Sequence, residues 1–173
     1  VEVDWRAVES DPTLPVTGRL LGASDQHDMA SAAALLTSDE DLPWLPPELV
    51  PKTQAAVAGY AEAYGVGVGP DVRRVLFAAY WTDGADIGNP EVLRTRLVGP
   101  MLRGRSAVDP VRMFGLAVSG NRGPITTQAW RRIAAWRAEW AALGRRDLPV
   151  VIDDDGSLAA GEDALRLLEK QFA

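Results

Sequence analysis

The sequence predicts a mixed α/β or α+β fold in which a large helical insertion separates one strand from a closing hairpin. Apolar and charged residues alternate over Val1–Arg6, which is the period-2 pattern of a half-buried strand. Pro149–Ile152 is typical of a buried strand, followed by the turn Asp153–Gly156 and a return strand over Ser157–Ala160. A lone hairpin is marginal in water, so its faces need helices or a further strand.

Residues 18–47 give mixed signals between the first strand and the helical region. Ala30–Leu36 could form a short helix, while the proline-rich stretch Leu42–Pro47 is predicted to be an extended loop. Thr53 is the expected N-cap of a first clear helix, which continues to Tyr64 and is closed by a series of glycines.

Two further helices are predicted in the middle of the chain, with a weaker signal after them. The spacing of apolar residues predicts a helix over Val72–Tyr80. Asn89 is the expected N-cap of the next helix, with Pro90 at its first position. Val108–Ala117 gives a weaker helical signal.

The strongest periodicity in the sequence lies shortly before the hairpin. Apolar residues recur at spacings of four, three, four and three, which predicts an amphipathic helix. Either Thr126 or Thr127 can cap this helix, and Gly144 ends it. A last helix is expected from about Glu162 to Phe172. The periodic residues are Ala129, Ile133, Trp136, Trp140 and Leu143.

Composition narrows the classes of function. The chain has 173 residues and a net charge of −6, and only two of its 18 cations are lysines, so it lacks the concentrated basic stripe of a nucleic-acid or lipid binder. No apolar run approaches the ~20 residues of a membrane span. We therefore expect one soluble, cytoplasmic domain.

There is no cysteine, so the chain has no thiol for nucleophilic or metal chemistry.

The candidate catalytic and metal-binding residues of the sequence do not form a complete catalytic group. His27 is the one histidine and lies in a polar acidic stretch expected to be a surface loop, without the further His or Cys ligands that a metal needs. Asp153–Gly156 resembles the start of a calcium loop, but the twelfth position is Ala164 instead of glutamate. Trp136 and Trp140 could form a ligand wall, although such a stripe is more often core.

Several segments, taken in order, resemble the DsbA-like family of thioredoxin-fold proteins. The similarity is to the bacterial branch related to 2-hydroxychromene-2-carboxylate isomerases and kappa-class glutathione transferases. No single motif is diagnostic, and the order of the segments carries the resemblance. They are Val1–Arg6 with Asp11-Pro12, Val50–Ala56, Val75–Trp81, Gly84–Ile87, Asn89–Leu93, Leu148–Ile152, Gly156, Gly161 and the last helix.

This resemblance implies a thioredoxin-like sheet built from residues 1–17 and 145–173, with residues 18–144 as connecting loop and helical insertion. It further implies that Leu148-Pro149 is a cis peptide bond beside the substrate, and that the active-site motif either precedes Val1 or has been lost. In the thioredoxin topology the first strand lies between Val1–Ala7 and the hairpin. We therefore expect either a strand from outside this sequence or an open gap between them.

Three functions follow from the resemblance: a relative of thiol-disulfide oxidoreductases, a glutathione-dependent isomerase or transferase, and a non-catalytic binding module. Leu148 and Pro149 are the candidate substrate-binding residues, because the exposed backbone of Leu148 would suit an extended peptide or glutathione. No resident cofactor or metal is expected in this chain. A small thiol or an extended peptide is the expected partner, and a homodimer is left open.

Overall fold

The computed structural model describes residues 3–35, 48–144 and 146–172. Within them the fold is helix-rich and mixed, with two small antiparallel sheets. The predicted loop over Leu42–Pro47 and the residues Val1 and Glu2 lie outside the described residues. The elements are β1 (Arg19–Leu20), α1 (Ala23–Leu35), β2 (Leu49–Val50), α2 (Gln54–Gly65), α3 (Gly69–Trp81), α4 (Pro90–Arg103), α5 (Asp109–Phe114), α6 (Thr127–Ala142), β3 (Val150–Ile152), β4 (Leu158–Ala160) and α7 (Glu162–Phe172).

The caps of α4 and α6 form as the sequence predicts. Asn89 accepts a hydrogen bond from the backbone N–H of Glu91 at 3.0 Å. Thr126 accepts one from the N–H of Ala129 at 3.1 Å. The cap expected at Thr53 does not form, because its backbone is already nearly helical (φ −76°, ψ 3°) and its side chain makes no capping hydrogen bond.

The strand predicted over Val1–Arg6 is wrong for the residues described there. Residues 3–9 belong to no helix or strand and have no ladder partner. Exposure still alternates, since Val3, Trp5 and Ala7 are half-buried while Asp4 and Arg6 are exposed. The alternating pattern therefore reports a segment that packs one side onto helices, without a neighbouring strand.

The predicted surface loop around His27 is also wrong, because α1 begins at Ala23 and includes this exposed histidine. The helix expected over Ala30–Leu36 thus starts seven residues earlier. Asp25 lies in its first turn and accepts a hydrogen bond from the N–H of Gly22 at 2.7 Å. A carboxylate at this end of a helix is favourable for the unpaired N–H groups and the helix dipole.

A continuous core is centred on α2, whose alanines let the neighbouring helices approach closely. Gly59 marks one such close approach, since a Cβ at this position would lie 2.7 Å from Leu97 Cδ1 of α4. The core is completed by side chains of α3 to α6 and the loops between them. No described residue of β3, β4 or α7 belongs to this core, and Ala164 of α7 is buried separately.

The closing hairpin forms as the sequence predicts, but β3 is not the buried strand expected there, since Val150 and Val151 are half-buried and Ile152 is exposed. β3 pairs antiparallel with β4, with Val151 opposite Ala159. The tight turn between them is closed by a hydrogen bond from the N–H of Gly156 to the carbonyl of Asp153 at 2.9 Å. No helix among the described residues is long and apolar enough to cross a membrane.

Candidate functional site

The segment between α6 and β3 carries the two residues that the sequence singles out for substrate binding. Leu148-Pro149 is a cis peptide bond, as expected. The side chain of Leu148 is exposed, at 44%. The carbonyl oxygen of Pro149 accepts a hydrogen bond from the N–H of Gly161 at 2.8 Å, which fixes the start of the hairpin.

Leu148 lines a cleft of about 260 Å³ together with residues from the end of α6, from the segment that follows it and from the N-terminal segment, residues 3–12. Trp140, in the last turns of α6, forms an apolar wall and is half-buried. Ser10 contributes a hydroxyl from the N-terminal segment, and Arg146 and Asp147 contribute one cation and one carboxylate. The volume is just below the ~300 Å³ at which small-molecule sites begin, and three of the five lining residues are polar or charged, a larger share than in most such sites.

The strand β3 begins two residues after Leu148 of this cleft. One of its two edges has no neighbouring strand among the described residues. The carbonyl of Pro149 and the N–H of Asp153 both bond toward β4. Because hydrogen-bonding direction alternates along a strand, the N–H and C=O groups of Val150 and Ile152 point to the opposite edge. Among the described residues β3 pairs with β4 alone, so this edge offers four backbone groups to an extended ligand.

Ser10 is positioned by the N-terminal segment, residues 3–12, which lies across α2, α3 and α6. The hydroxyl of Tyr60 donates to the carbonyl of Trp5 at 2.9 Å, and burial raises the pKa of this phenol. The guanidinium of Arg73 lies 4.1 Å from the centre of the Trp5 ring, a cation–π contact. Together these contacts fix the start of the segment on the helices.

A buried ion pair fixes the segment next to Ser10. The side chain of Glu9 is only 6% exposed, and its Oε1 lies 3.5 Å from Lys52 Nζ. Its other oxygen lies 3.2 Å from a guanidinium nitrogen of Arg137 on α6. Lys52 also donates a hydrogen bond to the carbonyl of Pro12. The wall of the cleft that Ser10 provides is therefore tied to both α2 and α6.

The cleft can bind and orient a ligand, but it contains no nucleophile able to exchange thiols. The chain has no cysteine. His27 lies on α1 and is not among the residues that line the cleft. The carboxylates of the Asp153–Gly156 turn serve local turn geometry, since Asp153 and Asp155 accept hydrogen bonds from the next residues. Among the described residues, no group of three or more His, Cys, Asp or Glu side chains could hold a metal ion.

Sequence reasoning missed most of the cleft around Leu148. Trp140 was grouped with Trp136 as a stripe, but the structure separates them: Trp136 is buried in the core, while Trp140 faces the cleft. Ser10 and Arg146 carried no sequence signal of binding. The position of Trp140 at the exposed end of α6, one turn after the core residue, was the one available indication.

Comparisons with known proteins do not assign this chain to a family. No protein-family model matches the chain, no curated protein matches it, and no solved structure matches it.

Proposed function

We propose that this chain is a DsbA-like thioredoxin-fold protein that binds an extended thiol peptide in the cleft at Leu148. Glutathione and a longer thiol-containing peptide share the required chemistry, which is an extended backbone carrying a thiol. The observation that carries the proposal is the continuity between the cleft lined by Trp140 and Leu148 and the unpaired edge of β3. The resemblance of the ordered segments to this family supports the same assignment.

Backbone pairing would supply most of the recognition in this arrangement. A peptide laid beside β3 would exchange hydrogen bonds with Val150 and Ile152, as in other cases of strand addition. The thioredoxin topology gives this edge to a strand from outside this sequence, so this mode of binding applies to the chain without that strand. The residues of the peptide that continue into the cleft would contact the indole of Trp140. Arg146 and Asp147 offer charges of both signs, which suits a peptide that carries a carboxylate and an ammonium group.

Thiol exchange itself requires a thiolate, and this sequence contains none. In the proposed function the described cleft therefore binds and positions the thiol peptide. A catalytic thiol, or the serine of a glutathione-dependent isomerase or transferase, would have to come from outside this sequence. The binding step is shared by these alternatives and can be tested on the chain as it stands.

The test is a titration of the isotopically labelled chain with reduced glutathione and with an extended thiol peptide, followed by amide chemical shifts. We expect saturable shifts at Leu148, Val150 and Ile152. Arg146→Gln should weaken binding, whereas Arg105→Gln, an exposed arginine outside the cleft, should not. Shifts confined to residues remote from Leu148 would count against the proposal.

N-methylated peptides sharpen this test. Methylation of the peptide nitrogens that face β3 should abolish binding, because each methyl group removes a donor and fills the space of the hydrogen bond. Methylation of the alternate nitrogens, which face away, should leave the affinity nearly unchanged. Equal effects of the two methylation patterns would show that strand pairing is not the mode of binding.

A further inference from the structure

A second cleft lies between the first turn of α2, the loop of residues 119–125 and α6. Its polar lining is Gln54, Arg122 and Arg137, and the indole of Trp130 forms part of its rim. Its enclosed space is about 10 Å³, enough for roughly one water-sized group, within a mouth open to solvent. We call this feature the arginine slot.

Arg122 is held in this slot in a conformation that an arginine rarely adopts. Its φ is 67°, in the left-handed region, and it is the one non-glycine residue of the described chain with a positive φ. The turn that imposes this backbone is closed by hydrogen bonds from Ser119 N–H to Gly123 O at 2.8 Å and from Arg122 N–H to Ser119 O at 3.0 Å. Backbone strain of this kind is concentrated at ligand clamps and other functional sites.

The side chain of Arg122 also carries an unsatisfied donor. Within the described part of the chain, its Nε is buried and has no hydrogen-bond partner. A buried N–H without an acceptor is costly, and buried polar groups in native proteins are nearly always paired. Arg122 is one of the residues that line the slot, so an acceptor that enters the slot would lie beside a residue with an unsatisfied donor.

The charge around the slot is positive in a protein that is acidic overall. Arg137 also lines the slot and shares the carboxylate of Glu9 with Lys52. The lining of the slot thus holds two arginines and no carboxylate, against a net charge of −6 for the chain. The N-terminal turn of α2 adds to the positive potential, because it has neither a side-chain cap at Thr53 nor an acidic residue.

We infer that the arginine slot binds one oxyanion group, a phosphate or a carboxylate, with an oxygen placed between Arg122 and Arg137. Guanidinium groups donate several hydrogen bonds in a planar fork, which matches the oxygens of these anions. The small enclosed volume admits the oxygen and leaves the body of the ligand outside. There it would lie against Trp130, whose side chain is 47% exposed.

The test uses inorganic phosphate, phenyl phosphate and benzoate as probes, titrated at constant ionic strength into the full chain. We expect saturable shifts of the amides of Gln54 and Gly123 and of the side-chain Nε–H of Arg122. The affinities for inorganic phosphate and benzoate show which of the two oxyanions, phosphate or carboxylate, the slot binds more tightly. Tighter binding of phenyl phosphate than of inorganic phosphate is expected if the ligand body contacts Trp130, and equal binding would overturn that contact.

Arg122→Gly is the decisive variant. Glycine adopts the left-handed φ without a Cβ penalty, so the midpoint of thermal unfolding should stay the same or rise. Affinity for the better oxyanion should nevertheless fall by roughly tenfold or more. Arg131→Gln, on the exposed face of α6 and outside the slot, should retain the affinity of the unmodified chain.

Two results would overturn the inference. One is the absence of saturable binding of all three probes to the unmodified chain. The other is an equal loss of affinity in Arg122→Gly and Arg131→Gln, which would mean that the anions respond to overall charge. Neither result depends on the cleft at Leu148, so the two proposals can fail separately.

Discussion

The buried carboxylate of Glu62 on α2 accepts two hydrogen bonds from Thr126, the residue that caps α6. One comes from the N–H of Thr126 at 2.5 Å and the other from its hydroxyl at 2.9 Å. Glu62 also accepts the N–H of Ile125 at 2.7 Å, and the Thr126 hydroxyl oxygen in turn accepts the N–H of Ala129 at 3.1 Å. This chain of bonds fixes the beginning of α6 on the last turn of α2.

We therefore expect Glu62→Gln to lower the free energy of unfolding by about 1–3 kcal/mol, because one acceptor oxygen is replaced by a donor in a buried network. Urea unfolding followed by circular dichroism measures this change. Glu91→Gln is the matched control: its side chain is 73% exposed and pairs only with Arg94, so its effect should stay below about 1 kcal/mol. Equal effects of the two substitutions would contradict this account of Glu62.

The ion pair between Glu9 and Lys52 makes a different prediction, since both side chains are almost fully buried. Lys52→Met should destabilise the chain by about 3 kcal/mol, because Glu9 would keep only its half-exposed partner Arg137. The double variant Glu9→Leu with Lys52→Met should be less destabilised than the sum of the single variants. Strict additivity in this double-mutant cycle would show that the two charges do not interact.

A pH-dependent contribution is expected from Asp25. Hydrogen bonds from Arg19 and from the N–H of Gly22 hold the pKa of this carboxyl well below its ordinary value of 3.8. A carboxyl whose pKa is lowered by folding stabilises the folded chain above its ordinary pKa, and the contribution disappears as the pH falls through the lower folded-state value.

Arg19→Gln should therefore raise the pKa of Asp25, which a carbon-13 titration of its side-chain carboxyl would show. The pKa of Asp155 serves as an internal control. It is lowered by the N–H and hydroxyl of Ser157, far from Arg19 in the sequence, and should not change in the variant. An unchanged Asp25 titration would mean that the Arg19 contact does not persist in solution.

The chain as given should not reduce insulin. Disulfide exchange requires a thiolate, and no residue of this sequence can supply one. A turbidity assay with dithiothreitol as electron donor, compared with dithiothreitol alone, checks this. Any acceleration by the purified chain would contradict the expected division between a binding cleft here and a thiol elsewhere.

Local signals in the sequence were sufficient to predict the helices that have clear caps and periodicity. Asn89 and Thr126 lie where a cap residue precedes an apolar stripe, and both caps form. The hairpin could be predicted equally well, because its turn residues directly connect two short apolar strands in the sequence. The N-terminal segment could not, since period-2 burial is the same whether the neighbour is a strand or a helix.

The features that involve distant residues could not be predicted in this way. Glu62 is the one charged residue of the largely apolar helix α2. No residue near it in the sequence indicates that Thr126 is its hydrogen-bond partner. Arg122 lies in the stretch Gly120–Gly123, which predicts a turn but not a left-handed arginine that lines a slot with Arg137. Both depend on how α2 and α6 meet, which only tertiary packing determines.

The unpaired edge of β3 also bears on how the chain behaves in concentrated solution. Val150 and Ile152 are β-branched and apolar, and Pro149 lacks its N–H on the side that faces β4, so it does not block the other edge. Sheets usually protect such edges with lysine, proline or a bulge, and the three residues of β3 carry none of these. Two copies could pair there edge to edge. Self-association should therefore grow with protein concentration, and any peptide that occupies the edge should act as a solubiliser.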